Sequence, residues 1–319
     1  MFRFIIKRLL LMIPVFLGVL LIVFIINRSS GDHVAALLGD SYTPELYQEM
    51  REQLGLNDPY PIQFARYVKG VVTQFDLGTS FITKRPVKQE IIARLPLSIK
   101  IAAISLVWSV FIGVILGIIS AIKQYSVLDY SLTTLAMVFS SMPSFWIGMM
   151  MMILFSLILK LLPATGLDTW KGYILPCITL GLHPVASFCR MTRSTMLEVI
   201  HQDYIRTARS KGIGQLRVII SHALRNAAIP IVTLLGTQMN TTIGSAAVVE
   251  SVFNIPGVGS YMISSIGTKD YPGVQGSVLV FSMIVCLTTI IIDILYGFLD
   301  PRIKAKYIES GKKRNYRET

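Results

Sequence analysis

The chain has 319 residues, of which 53% are hydrophobic and only 15% are charged, and its formal net charge is +12. A soluble domain of this size needs more charge to cover its surface, so the composition excludes an ordinary soluble protein. A strongly basic chain is also typical of nucleic-acid-binding proteins, but the positions of the charges in this chain indicate a different cause.

Six stretches without Asp, Glu, Lys or Arg are long enough to cross a bilayer. A spanning helix needs about 20 apolar residues, so the chain is predicted to be an all-α membrane protein with about six transmembrane helices. The third stretch would be about 45 Å long at about 1.5 Å per residue, and it must tilt, kink near Pro143 or project from the bilayer. The stretches are Leu9–Ile26, Ile101–Ile122, Tyr130–Leu159, Gly172–Cys189, Asn226–Val249 and Tyr271–Ile292.

Lys and Arg are distributed unevenly among the connecting segments. With the N-terminus inside, the inner segments hold 18 of the 30 basic residues but only six of the 18 acidic ones. Because cytoplasmic segments are enriched in Lys and Arg, both termini are predicted to be cytoplasmic, and the basic charge requires no nucleic-acid partner. The predicted parts are a first transmembrane helix with a cytoplasmic N-terminus (1–27), an extracytoplasmic segment (28–96), a five-helix core (97–300) and a basic cytoplasmic tail (301–319).

Short helices are predicted in the outer segments. Thr43 followed by Pro44 is a helix start, because Thr is a good N-cap and Pro is favoured at the first helical position. Gly55 can close this helix, and a second amphipathic helix is predicted over Ile62–Val72. A later outer segment is predicted to be weakly helical over Ser260–Ile266.

Two ionisable side chains lie within the predicted spans. Such residues are costly in a bilayer and are often functional. For His183, a role in transport competes with a structural hydrogen bond to a neighbouring helix. For Asp293, a gate or relay role competes with an ion pair to a cytoplasmic arginine such as Arg190 or Arg193.

The sequence lacks the motifs of common enzymes. There is no G-x-x-x-x-G-K-[ST] loop for nucleotide phosphates, no G-x-S-x-G, no H-E-x-x-H and no Cys spacing for a metal. We therefore predict no catalytic residue, no metal site and no cofactor in this chain. Gly113 and Gly117 form a GxxxG pattern, which permits close approach of another helix.

The segment between the fourth and fifth spans is predicted to contain a short basic helix. It begins near Asp203 and includes the small residues Thr207, Ala208 and Ser210, and the pair Gly212 and Gly214 is suited to end it. Small side chains let another protein approach closely, and the arginines can pair with acids across such a contact. The alternative is an ordinary basic cytoplasmic loop without a partner.

This segment resembles the EAA loop of permease subunits of binding-protein-dependent ABC importers, in the peptide and nickel branch. Arg206-Thr207-Ala208 stands where the signature Glu-Ala-Ala falls, and Gly212 matches its glycine. Further stretches resemble the same family and together extend over nearly the whole chain: Leu54–Pro59 with Phe75–Ser80, Pro143–Gly148, Glu250–Gly259 with Asp270–Gly276, and Leu299–Ile303.

The resemblance implies the type I ABC importer permease fold in a bacterial inner membrane. It also implies three kinds of partner: a homologous second permease, two ATP-binding subunits that would hold ATP and Mg, and an extracytoplasmic substrate-binding lipoprotein. The loop at about 197–226 would then carry a coupling helix. The residues expected to couple this chain to the ATP-binding subunits are Asp203, Tyr204, Arg206, Thr207, Ala208, Arg209, Lys211 and Gly212.

The implied function is ATP-driven import of short peptides, with no enzymatic activity in this chain itself. Within the family, a nickel or metal-chelate, glutathione or opine importer is the alternative, because selectivity is expected to rest mostly on the binding protein. A stand-alone secondary transporter or channel is a different class, which would require more intramembrane charge or an inverted repeat. A membrane-embedded enzyme would require a convergent catalytic set within the spans.

Overall fold

A computed structural model describes residues 2–29, 34, 38, 43–53 and 55–299 of the chain. Helices form nearly all of the regular structure in these ranges, and the predicted basic tail lies outside them. In chain order the helices are α1 (Phe2–Ser29), α2 (Pro44–Gln53), α3 (Tyr60–Gln74), α4 (Val87–Ile122), α5 (Val127–Ser141), α6 (Ser144–Met152), α7 (Ile174–Ile200), α8 (Asp203–Ser210), α9 (Arg225–Val252), α10 (Val258–Gly267) and α11 (Tyr271–Leu299).

The long apolar helices correspond to the predicted membrane spans. Helices α1, α4, α7, α9 and α11 are each long and apolar enough to cross a bilayer. Helices α5 and α6 pass the same criterion together, although their axes are bent by 104°. The prediction of an all-helical chain with about six spans is therefore confirmed, if the bent pair is taken as one span.

The bend between α5 and α6 is caused by the Met142–Pro143 pair. Proline has no N–H to continue the helix, and it disfavours helical angles in the residue before it. Met142 accordingly has extended angles, with φ −85° and ψ 134°. Of the alternatives for the long third stretch, the kink near Pro143 is the one that is present. After α6 the chain continues as a π-helical turn, Ile153–Ile158.

The chain forms two compact units. One, here called the core unit, consists mainly of Ile99–Ile255, and the other, the flanking unit, combines Leu9–Ser98 with Pro256–Cys286. Within the core unit, α7 packs against α5, α6 and α9. In its most apolar window 67% of the residues are buried, which is the largest share among the candidate spans of the described chain. This burial explains how a span that contains Pro184 is accommodated, since neighbouring helices replace lipid around it.

The predicted close approach at the GxxxG pattern is found between α4 and α7. A Cβ atom on Gly113 would lie 2.6 Å from the Cβ of Phe188, and one on Gly117 would lie 2.6 Å from the Cβ of Thr192. These distances are too short for real Cβ contacts, so the two glycines allow the helices to pack at this separation.

The short helices predicted for the long outer segment are present in the flanking unit. Helix α2 begins at Pro44, and the backbone N–H of Leu46 donates a hydrogen bond to Thr43 Oγ1 at 3.3 Å. Gly55 follows the helix with a positive φ of 62°. Helix α3 covers the second predicted helix, Ile62–Val72, and α10 covers the later one.

A buried carboxylate joins two distant parts of the flanking unit. Asp270 is 2% exposed and accepts hydrogen bonds from Ser80 Oγ at 2.6 Å and from the backbone N–H of Phe81 at 2.8 Å. Ser80 and Asp270 belong to two of the motifs that carry the family resemblance, so these motifs meet in one contact. Burial raises the pKa of the Tyr261 hydroxyl in the same region, and the negative charge of Asp270 acts in the same direction.

Candidate coupling helix and intramembrane pocket

Helix α8 is held to the core unit by one face. Ile205 is fully buried and Ala208 is 8% exposed, while the other residues of the helix are exposed. Both side chains belong to an apolar cluster that includes Ala121 of α4 and Met196 of α7. Residues three apart share one face of a helix. The opposite face of α8 is therefore left open to a partner.

Two small residues of α8 lie on different faces of the helix. The sequence predicts Thr207 and Ala208 as small residues that let a partner approach, but helical spacing from Ile205 directs Ala208 into the cluster. Thr207 is exposed, and its Oγ1 donates to the carbonyl of Asp203 at 3.0 Å. Ala208 thus anchors the helix from behind and is not part of the open face.

The open face of α8 is basic. Arg206 and Arg209 are exposed, and so is Lys211 directly after the helix. Within the described part of the chain, none of these three side chains forms an ion pair. Tyr204 adds an aromatic ring that is 44% exposed, and Asp203 lies at the helix N-terminus, where a negative charge is favourable. Such a face is complementary to an acidic groove on another protein.

Gly212 ends α8 as the sequence predicts. Its φ is +76°, a left-handed value that suits glycine. Its N–H donates to the carbonyl of Arg209 at 2.9 Å, and the N–H of Ile213 donates to the carbonyl of Ala208 at 3.4 Å. This pair of bonds is a Schellman motif, and the half-buried Ile213 packs against the same apolar cluster as the helix.

A buried ion pair lies on α7, which leads into α8. Asp129 is 1% exposed and receives two hydrogen bonds from Arg193, from Nε at 2.6 Å and from Nη2 at 2.7 Å. Ser120 Oγ and the backbone N–H of Tyr125 also donate to this carboxylate. The pair therefore ties the end of α4 and the start of α5 to α7, seven residues before α7 ends at Ile200.

The two arginines of α7 have partners other than Asp293, which the sequence analysis considers for Arg190 or Arg193. The carboxylate bound to Arg193 is that of Asp129, and Arg190 donates to Ser140 Oγ at 2.8 Å. In the sequence, Asp129 is one of the six acidic residues of the inner segments, and its position alone does not indicate a buried partner. The side chain of Asp293 lies outside the described part of the chain.

His183 lines a pocket of about 250 Å³ between α6, α7 and α9. Its side chain is exposed, and the structural hydrogen bond considered for it is not found among the described residues. The pocket also contains the hydroxyl groups of Ser144, Thr179, Thr242 and Ser245. The sequence singled out His183 by its position within a span, but it did not identify the hydroxyl-bearing residues that surround it.

Two family descriptions match almost the whole sequence. Residues 113–305 match the inner membrane component of binding-protein-dependent transport systems, and residues 1–102 match the N-terminal part of such a membrane component. The chain belongs to this family. It is therefore a multi-pass inner-membrane permease, and its role is that of a transport subunit within a binding-protein-dependent system.

Curated relatives match the permease along its full length. It is 39% identical to the dipeptide transport system permease protein DppB of Alkalihalophilus pseudofirmus, over 95% of this chain and 100% of that protein. It is 40% identical to the glutathione transport system permease protein GsiC of Pectobacterium atrosepticum, over 96% of this chain and 100% of that protein.

A solved structure supports the fold assignment. The permease resembles a chain of the MetNI methionine ABC transporter in an inward-facing conformation, with a TM-score of 0.58 and 18% identity, over 67% of this chain and 97% of that one. The predicted ABC importer permease fold is thereby confirmed.

Proposed function

We propose that this permease forms part of the membrane path of an ATP-driven importer of short peptides. The observation that carries the proposal is the full-length likeness to permeases of both dipeptide and glutathione transport systems. These two substrates share a short peptide backbone with a free carboxylate. We therefore define the proposed substrate class by this shared chemistry, and not by dipeptides or glutathione alone.

The surface of α9 supports a polar path through the membrane. In the isolated chain this span exposes a hydroxyl group at every fourth position over three helical turns. Ser and Thr are enriched where membrane helices contact one another, so this row favours contact with another subunit, and its hydroxyl oxygens can also line a polar path. The exposed residues of this row are Thr233, Thr237, Thr241 and Ser245.

In the proposed importer, this chain pairs with a homologous second permease. Two ATP-binding subunits act from the cytoplasm, and an extracytoplasmic binding protein delivers the peptide. The basic face of α8 docks in an acidic groove of one ATP-binding subunit. The proposal is supported by the open position of this face and by its three cations, for which the described chain provides no acidic partner.

The packing of α8 supports a role in transmitting movement. Ile205 and Ala208 share one apolar cluster with Ala121 and Met196, and the Asp129–Arg193 pair connects α7 with α4 and α5. Displacement of α8 by a docked subunit would therefore act on three spans at once. Closely packed side chains transmit such a displacement because they leave little room for local adjustment.

Uptake by the complete importer tests the substrate class. The permease, its partner permease, the ATP-binding subunits and the binding protein are reconstituted in proteoliposomes with a labelled dipeptide. We expect uptake that requires both ATP and the binding protein. Uptake driven instead by a proton or sodium gradient would indicate a secondary transporter and would contradict the proposal.

Charge reversal on α8 tests the docking surface. We expect Arg209→Glu to reduce copurification of the ATP-binding subunits, because it replaces an attractive charge by a repulsive one in the contact. The matched control is Arg217→Glu, at an exposed arginine outside α8. If both variants lose the subunits equally, net charge of the loop is responsible and the assigned surface is wrong.

A nickel or metal-chelate importer remains the alternative within the family. In the described part of the chain, no three His, Cys, Asp or Glu side chains are grouped so that they could hold a metal ion. Import of a chelate would then require recognition of its organic part. The same proteoliposomes decide between the two: the dipeptide competes with uptake of a labelled nickel chelate only if both use this path.

A further inference from the structure

The pocket beside His183 contains a buried hydroxyl group that the fold leaves unpaired. Thr242 is 3% exposed, and its Oγ1 has no hydrogen-bond partner among the described residues. Buried hydroxyl groups in native proteins are almost always hydrogen-bonded, so an unpaired one calls for an explanation. Thr242 lines the pocket, and a ligand in the pocket would supply the missing partner.

The groups around Thr242 form a set that is rich in hydrogen-bond donors. His183, Thr241 and Ser245 are exposed at the pocket, and Ser144 and Thr179 also line it. No Asp or Glu lines the pocket. A negatively charged group therefore meets several donors there and no like charge, whereas an ammonium group would have no carboxylate to pair with.

Helix α7 contributes an acceptor to the same place. Pro184 has no N–H, so it cannot donate to the carbonyl of Leu180, four residues earlier in the helix. Both residues line the pocket. The carbonyl of Leu180 therefore lacks the donor that a regular helix would give it, and the N–H of a bound peptide is a suitable replacement. Donors for a carboxylate and an acceptor for an adjacent N–H together match the C-terminal end of a peptide.

The size of the pocket limits how much of a peptide it can hold. Pockets that enclose a drug-sized molecule measure about 300–1,000 Å³, and this pocket measures about 250 Å³. It is therefore suited to one terminal residue of a peptide, with the rest of the molecule outside. Ile147 and Met142 provide apolar surface for the side chain of that residue.

From these observations we infer that the pocket between α6, α7 and α9 is a subsite for the C-terminal carboxylate of the transported peptide. Thr242 and His183 act as carboxylate donors, and the Leu180 carbonyl accepts from the last peptide N–H. The inference rests on the proposed function, since it names the part of the substrate that this chain recognises.

The test compares a free dipeptide with its C-terminal amide in the reconstituted importer. The probes are Ala-Phe and Ala-Phe-amide, each supplied at a concentration that gives the same occupancy of the binding protein. The variants are Thr242→Val and His183→Phe. The matched control is Thr192→Val, because Thr192 is also a fully buried residue whose hydroxyl lacks a partner in the described chain, but it does not line the pocket.

For Thr242→Val we expect kcat/KM for uptake of Ala-Phe to fall about tenfold, because a hydrogen bond to a charged group is lost. Uptake of Ala-Phe-amide should change little, and Thr192→Val should behave as the wild type with both probes. Equal losses with acid and amide, or no loss with either, would overturn the carboxylate subsite while leaving peptide import intact. Failure of the wild-type importer to take up either peptide would overturn the proposed function, and the subsite with it.

Discussion

The end of α8 depends on one backbone angle at Gly212. A Cβ atom there would meet no other atom within 4 Å, so the requirement for glycine comes from the φ of +76° and not from lack of space. A β-branched residue held at such an angle costs about 1–3 kcal/mol. We expect Gly212→Val to shift the Schellman turn and to lower the amount of peptide transported per ATP hydrolysed, measured in proteoliposomes.

Two substitutions separate the backbone angle from side-chain size. Asn tolerates left-handed angles, so Gly212→Asn should retain most of the coupling. Gly214→Val places the same side chain two residues later, where φ is −60° and there is also open space. Similar behaviour of Gly212→Val and Gly214→Val would show that the angle at Gly212 has no part in coupling.

The Asp129–Arg193 pair is expected to stabilise the permease strongly. Asp129→Asn leaves the guanidinium without its counter-charge, and breaking a buried pair costs about 3–5 kcal/mol. We expect a loss of about 3 kcal/mol, near the lower end of that range, because the Arg193 side chain is 25% exposed. Thermal unfolding in detergent measures this loss as a lower midpoint.

A double variant shows whether the loss belongs to the pair. When Arg193→Gln is combined with Asp129→Asn, the second substitution should cost much less than it does alone, because the charge it removes no longer has a partner. Additive losses would mean that each residue acts through other contacts, such as the hydrogen bond from Ser120 to Asp129.

Among whole elements, α4 and α7 pack closely at Gly113 and Gly117. Gly117→Leu should lower the midpoint of thermal unfolding and the yield of folded permease, since added side-chain atoms must displace Thr192 or the backbone of α7. The matched control is Gly18→Leu in α1, where a Cβ would meet no atom within 4 Å. If both variants unfold at the wild-type temperature, the glycine contact is unimportant for stability.

The positions of the elements were largely predictable, because each depends on local sequence. Runs of about 20 apolar residues define the spans, Pro143 defines the bend after α5, and Gly212 defines the end of α8. The partners of individual side chains were not predictable in this way. Asp129 and Arg193 are far apart in sequence, and only the packing of α5 against α7 brings them together.

The residues of the pocket were likewise only partly predictable from the sequence. His183 attracts attention in the sequence because it is ionisable within a span, whereas Thr242 is one of many hydroxyl-bearing residues in apolar stretches. What distinguishes Thr242 is that it combines burial without a hydrogen-bond partner in the described chain with a place in the pocket lining, and this combination exists only once α6, α7 and α9 are packed. Ala208 shows a related difficulty: sequence similarity to a docking motif does not indicate that its side chain faces the apolar cluster.

For the molecule as a whole, the distribution of Lys and Arg predicts the orientation in the membrane. Cysteine labelling tests it in a variant without Cys177, Cys189 and Cys286, which are buried or half-buried in the structure. Thr73→Cys and Leu216→Cys each place one thiol at an exposed position, in the long outer segment and in the coupling loop respectively.

A membrane-impermeant maleimide should label Thr73→Cys in right-side-out vesicles and Leu216→Cys only in inverted vesicles, because the excess of basic residues keeps the coupling loop in the cytoplasm. Each vesicle preparation serves as the positive control for the other variant. The reverse pattern would invert the topology. It would also place α8 on the side away from any ATP-binding subunit. That result would contradict the proposed docking surface as well as the predicted orientation.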